Sequence, residues 1–280
     1  MPTRSCQALT SVAGGQAWHA TLAALLLAGL TLLATPARAQ FDGEGRPATN
    51  TGMIGAAVFS SPRYMGADDN RLRALPYLSY HWANGWFIDG VYGLGYAWSP
   101  ASGRRLGLHL GASPEQEESD SAALRGMGDV DRQAELGGFA HQRLGRWLGG
   151  SLGVRSHLRY GAGDDHRGGL ADLGLDWGIR LPPRSMVSLG LSATWANQDY
   201  MQTYFGVTPK QSAASGYEEH KTGSGLRDLR LRLGWIQIFS PTTMGLFMIN
   251  QTYWQGDAAD SPIVHDRRNT MVIAAVAYRF

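Results

Sequence analysis

Asp228-Leu229-Arg230-Leu231-Arg232-Leu233-Gly234-Trp235 is the stretch that decides the fold. Its even positions are charged or small, and its odd positions are Leu or Trp. A period of two puts the two sets on opposite faces of a β-strand. The pattern spreads both ways along the chain. Leu173, Leu175, Trp177, Ile179 and Leu181 alternate with Asp172, Gly174, Asp176 and Arg180. Leu152, Val154, Leu158 and Tyr160 alternate with Ser151, Arg155, His157 and Arg159. Val187, Leu189, Leu191 and Trp195 alternate with Ser188, Gly190, Ser192 and Thr194. Further upstream, Leu72, Leu78, Tyr80 and Trp82 oppose Arg71, Arg73, Tyr77 and Ser79. Trp86, Ile88, Tyr92, Leu94, Tyr96 and Trp98 read as one more strand, entered through the hairpin turn Asn84-Gly85. Residues 130–144 and 244–255 are strand-like, and Val272, Val276, Tyr278 and Phe280 share the last apolar face.

Composition agrees with strands. Glycine fills 37 of 280 positions, well above the usual share of about 7%. It costs about 1 kcal/mol relative to Ala inside a helix. With 44% hydrophobic residues the chain is not disordered. A formal charge of +2 does not suit a nucleic-acid binder.

The longest apolar run is TLAALLLAGLTLLA, residues 21–34. It is short of the roughly 20 residues a spanning helix needs. Arg4 precedes it and Ala37-Arg38-Ala39 follows, the layout of a secretory signal peptide. The expected division is a leader over 1–39, cut between Ala39 and Gln40, and one barrel over 40–280. The cut removes the single cysteine, Cys6, together with Arg4 and Arg38. It leaves 25 − 2 = 23 basic against 23 acidic residues, a formally neutral mature chain.

Tight connections at Asn84-Gly85, Gly145-Arg146, 182–185 and 240–242 contrast with the polar segments 61–70, 112–128, 161–168, 198–224 and 256–268. Short turns at one end and long loops at the other mark an outer-membrane barrel. Such a barrel is inside out, with Leu, Val and Trp toward lipid and charges toward the lumen. Arg or Lys on the lipid face costs about 2–4 kcal/mol at the bilayer midplane. Trp82, Trp86, Trp98, Trp147, Trp195 and Trp235 stand near strand ends, where interfacial girdles lie. Eleven runs are visible, whereas a barrel with both termini on one side needs an even number. The count becomes twelve if 112–128 hides a crossing, or ten if one run is not a membrane strand. The expected fold is therefore an all-β antiparallel transmembrane β-barrel of about 10–12 strands, with twelve preferred.

Inward-facing charges form the candidate site: Arg155, His157, Arg159, Asp172, Asp176, Arg180, Asp228, Arg230 and Arg232. They read either as the selectivity lining of a pore or as a plug of ion pairs. No Gly-x-Ser-x-Gly elbow occurs. Ser156 and His157 are adjacent, so they point to opposite faces. Asp164-Asp165-His166 offers too few oxygen ligands for a hard cation. No catalytic residue, cofactor or metal is expected. The 199–224 loop carries Tyr200, Tyr204 and Phe205. These aromatics either meet a partner or fold as a cap over the barrel mouth.

Several blocks carry a resemblance: YMQTYFGVTPKQSAASGY at 200–217, GDAADSPIV at 256–264, SPRYMGADDNR at 61–71, LRGMGDVD at 124–131 and the terminal Ala277-Tyr278-Arg279-Phe280. Through them the chain resembles the MltA-interacting protein (MipA/OmpV) family. The resemblance implies an outer-membrane barrel without catalytic residues. It also implies a scaffold joining a murein lytic transglycosylase to a murein-synthesising penicillin-binding protein. Porins and adhesins among the relatives make a channel for small solutes or ions the alternative, with a barrel hydrolase behind it. Tyr278 and Phe280 resemble the terminal aromatic signal read by the barrel-assembly machinery. The expected partners are thus outer-membrane lipid, that machinery and the two murein enzymes, with no nucleic acid.

Overall fold

The computed structural model describes residues 49–161, 163 and 168–280. The leader, its cut between Ala39 and Gln40, and the Asp164-Asp165-His166 loop lie outside the described residues.

Twelve antiparallel strands close into a barrel in chain order. They are β1 (Thr51–Pro62), β2 (Asn70–His81), β3 (Trp86–Asp89), β4 (Gly93–Ala101), β5 (Arg104–Ala112), β6 (Ala134–Trp147), β7 (Gly150–Gly161), β8 (Gly169–Leu181), β9 (Ser185–Ala196), β10 (Gly225–Ile238), β11 (Thr243–Trp254) and β12 (Arg268–Arg279). β12 seals against β1 from Met53↔Arg279 to Ser60↔Val272. Closure pairs backbone groups that hydrocarbon would leave unsatisfied.

The twelfth strand is not where the loop lengths suggested. Residues 112–128 contain no crossing, only two 3-10 turns at Glu118–Asp120 and Ala122–Leu124. Instead the apparent single strand over 86–98 is a hairpin, β3 and β4. Its turn at 90–92 preserves parity, so Ile88 pairs with Leu94 and Trp86 with Tyr96. Alternation runs through the reversal unbroken, which hides it from a period-two reading. Asp89 holds the turn by accepting hydrogen bonds from the amides of Val91 (2.8 Å) and Tyr92 (2.6 Å). Gly93 follows at φ 77°, in the left-handed region that favours glycine. Tyr92, expected on the lipid side, consequently enters the lumen. The β6–β7 connection is likewise Leu148-Gly149 rather than Gly145-Arg146, with Gly145 at a register slip inside β6.

The outer face is apolar and exposed, including Leu108, Leu158, Leu173, Leu175, Leu191, Leu231, Trp195 and Trp235. Paired charges are concentrated on one side of the lumen. Arg and Asp line β7 to β10, but β11, β12, β1 and β2 contribute two largely apolar rows. Cross-strand neighbours Met248, Ile273, Phe59 and Arg73 form one, and Leu246, Ala275, Ala57 and Leu75 the other. These residues lie in strand positions that carry no lipid-facing side chain, so period two alone did not single them out.

At the long-loop end, four loops fold together into a cap. Helix α1 (Gln198–Phe205) starts at Asn197, whose side chain accepts from the Tyr200 amide. Helix α2 (Pro209–Ser215) starts at Thr208 in a capping box with Gln211, with Pro209 in the first turn. It stops at Gly216, which takes φ 81°. A third short helix, α3 (Gly256–Ala259), packs below α1. Tyr200, Met201, Tyr204 and Phe205 are buried with Leu170, Trp254 and Ala258. Tyr64, Leu124, Met127, Val207 and Ile263 make a second cluster. The Tyr204 hydroxyl donates to the Pro114 carbonyl (2.8 Å) and the Tyr64 hydroxyl to that of Ile263 (3.0 Å). Burial pushes both phenols well above their ordinary pKa, so both remain neutral donors.

Candidate functional site

The charges singled out in the sequence occupy the lumen at two depths. In the deeper layer, Arg155 on β7 lies 2.7 Å from Asp176 on β8, and Arg232 on β10 reaches the same carboxylate at 2.5 Å. Nearer the cap, Arg159 donates to Asp172 at 3.1 Å, and the Thr194 hydroxyl donates to its other oxygen at 2.7 Å. Arg230 lies 2.9 Å from Asp228. Two arginines per carboxylate give charge-assisted bonds that offset part of the desolvation cost. Arg180 lies outside these two layers, exposed at the short-turn end of β8 opposite Met186.

Arg227 is the residue that alternation could not find. By parity it belongs on the lipid face. A register slip between Leu226 and Asp228 re-aims it inward. Its side chain is 4% exposed and that of Asp228 is 0% exposed, 2.6 Å apart. Arg227 also donates to the Tyr200 hydroxyl at 2.8 Å and lies against the Tyr200 and Trp254 rings. One buried cation thereby ties the cap to the barrel.

His157 sits in register with Asp172, yet its ring nitrogen meets His109 at 2.7 Å. His109 Nδ1 faces the Tyr92 carbonyl at 2.8 Å. A carbonyl only accepts, so His109 carries its proton on Nδ1 and His157 donates to His109 Nε2. Tyr92 stacks on Phe139 at 5.2 Å, and Phe87 meets both rings. Two glycines make room for this layer. A Cβ at Gly107 would stand 2.3 Å from the Phe139 ring, and one at Gly137 would stand 2.0 Å from His109 Nε2. Ser156, next to His157, pairs with lipid-facing Leu173 and takes no part.

Tyr200, Tyr204 and Phe205 are at most 1% exposed, packed inside the folded loops. Tyr278 and Phe280 are exposed at the end of the chain. Among the described residues, no three His, Cys, Asp or Glu side chains gather to hold a metal ion.

The lumen is therefore crossed by an aromatic and histidine layer from β3 to β7 and an ion-pair ladder from β7 to β10. The apolar sector remains beside them. A cavity of about 540 Å³ lies above it, lined by Arg71, Arg73, Arg159, Arg230, Asn250 and Met271 among others.

Solved structures are similar to the chain at low identity. The COG4313 outer membrane channel from Pseudomonas putida F1 is 12% identical at a TM-score of 0.44, covering 87% of this chain and 100% of that one. The outer membrane channel DcaP of Acinetobacter baumannii is 9% identical at 0.40, covering 86% and 100%. No curated protein matches the chain. The sequence itself is more specific: residues 54–280 match the family described as MltA-interacting protein MipA. That match spans the barrel from its first strand to its last residue, and the chain belongs to this family of outer-membrane β-barrel proteins.

Proposed function

We propose that this barrel is an outer-membrane docking platform for a murein lytic transglycosylase, with its short-turn rim as the contact surface. The carrying observation is a charge asymmetry. Arg104, Arg143, Arg146, Arg180, Arg184 and Arg279 stand at the short-turn end, and segments 97–108, 139–153, 177–191, 234–247 and 277–280 contain no Asp or Glu. Short turns of such barrels face the periplasm. A one-sign rim raises the local concentration of anionic partners and speeds their encounter. The family description, which names an interaction with MltA, supports a periplasmic partner of that kind. A murein-synthesising penicillin-binding protein joins the assembly through the transglycosylase in this reading.

The test is capture of the transglycosylase from crosslinked envelopes by full-length protein. Capture should be salt-sensitive. It should fall at least tenfold in Arg146→Glu/Arg184→Glu, while the variant keeps its heat-dependent gel mobility. Unchanged capture by the charge-reversed rim overturns the assignment of the surface, and absence of capture by the unaltered protein overturns the partner.

A solute channel is the second reading, favoured by the cavity at the long-loop end. Planar bilayers separate the two. The docking reading expects no steady current from the unaltered protein, because side chains cross the lumen. It expects current once Phe87, Tyr92 and Phe139 are all Ala. A steady, selective current from the unaltered barrel would establish the channel.

A further inference from the structure

The barrel wall is incomplete beside β2. β3 pairs with β2 from Ser79↔Asp89 to His81↔Phe87, and β3 then turns back. Among the described residues no strand pairs with positions 70–78 on that side, although β1 covers their other side fully. Trp82 N donates to Trp86 O across this edge. By alternation Leu72, Ala74 and Leu78 turn their amides the same way. Pro76 falls in the same series and has no N–H to leave bare, as expected for an edge position. The gap lies toward the long-loop end, away from the periplasmic rim. Its borders are apolar: Leu72 is 75% exposed, and Val91, at the tip of the truncated hairpin, is 80% exposed.

Behind the gap lies the apolar luminal sector. Leu75 faces inward yet is half exposed, and it ends the row Leu246, Ala275, Ala57. Arg73 ends the row Met248, Ile273, Phe59. Arg73 is exposed and has no ion-pair partner among the described residues, whereas Arg71, Arg155, Arg159, Arg230 and Arg232 are all paired. Arg73 also lines the 540 Å³ cavity.

We propose that the gap is a lateral window through which a fatty-acid carboxylate enters from the bilayer, its chain along the apolar rows and its head on Arg73. One spare guanidinium matches one carboxylate, in the geometry Arg binds bidentately. The apolar rows match a single alkyl chain. The bare amides of β2 would be unsatisfied in hydrocarbon, and the window lets luminal water or the head group reach them. A murein enzyme in the periplasm does not reach this edge, so the inference is independent of the docking reading.

The experiment uses the purified full-length barrel in neutral detergent, as the Cys6→Ser/Leu75→Cys protein labelled with bimane. Saturable quenching by 11,12-dibromostearate is expected, competed by stearate and at least tenfold less well by stearyl alcohol. Lysophosphatidylcholine tests a phospholipid source and should compete poorly, because its bulky head carries no net charge to set against Arg73. Arg73→Ala should weaken stearate at least tenfold and Arg73→Lys much less. Absence of quenching, or equal competition by the alcohol, overturns the proposal without needing any Arg73 variant. Hydrogen exchange gives a separate check on the window. Amides of Leu72, Ala74 and Leu78 should exchange far faster than those within β10. Slow exchange there would mean that a second copy or another strand covers the edge, and would also overturn it.

Discussion

Asp228→Ala should lower the unfolding free energy of the barrel by about 3–5 kcal/mol, the largest single loss expected outside the lipid face. The Asp228 side chain is fully buried. Arg227 donates to it at 2.6 Å, Arg230 at 3.1 Å and the Thr194 hydroxyl at 3.2 Å. Removing the carboxylate leaves Arg227 charged in a place without water. Arg cannot neutralise itself by losing its proton. The tie between cap and barrel should loosen with it, since the same guanidinium holds the Tyr200 hydroxyl. Denaturant midpoints followed by heat-modifiable gel mobility in lipid vesicles measure the loss. Asp228→Asn, which keeps an acceptor but not the charge, should fall between the two. A variant as stable as the original protein would mean that water reaches Arg227.

Leu191→Arg should cost about 2–4 kcal/mol, the range for a cation on the lipid face near the bilayer centre. Leu191 sits between Leu175 on β8 and Leu231 on β10, all three exposed. Exposure in water would make this substitution nearly neutral, typically within about 0.5 kcal/mol. The sign and size therefore test whether the apolar band faces hydrocarbon. Ala213→Arg, exposed on α2, should stay near neutral. Vesicle unfolding titrations decide it. Equal, small effects at both positions would remove the membrane from the account.

Much of the barrel was legible because its determinants are local. Period two in Asp228-Leu229-Arg230-Leu231 states which side chains share a face before any partner strand is known. Where the chain departs from that periodicity, or reverses without breaking it, local reading failed. The turn at 90–92 reverses in phase, so β3 and β4 looked like one strand and Tyr92 was placed in lipid. The slip at Leu226/Asp228 moves Arg227 from one face to the other, and nothing in the residues before or after announces it. At Thr208-Pro209 a helix starts, because residues that would interrupt a strand cap α2.

The luminal charges were legible as a set but not as pairs. Sequence spacing sets His157 opposite Asp172, but the pairing His157 makes, with His109, joins residues 48 apart on β7 and β5. Some of the abundant glycines serve the same layer. Gly107 and Gly137 are small because Phe139 and His109 lie over them.

By itself, then, the sequence determined a twelve-strand-sized, inside-out antiparallel barrel with its charges turned inward, because alternation and loop length act within one strand and one turn. Tertiary structure alone decided which carboxylate serves which arginine, that Tyr200, Tyr204 and Phe205 are buried in the folded loops, and that Arg73 has no ion-pair partner among the described residues. Those outcomes depend on register around a closed circle of strands, and register is a property of pairs of segments that no single segment contains.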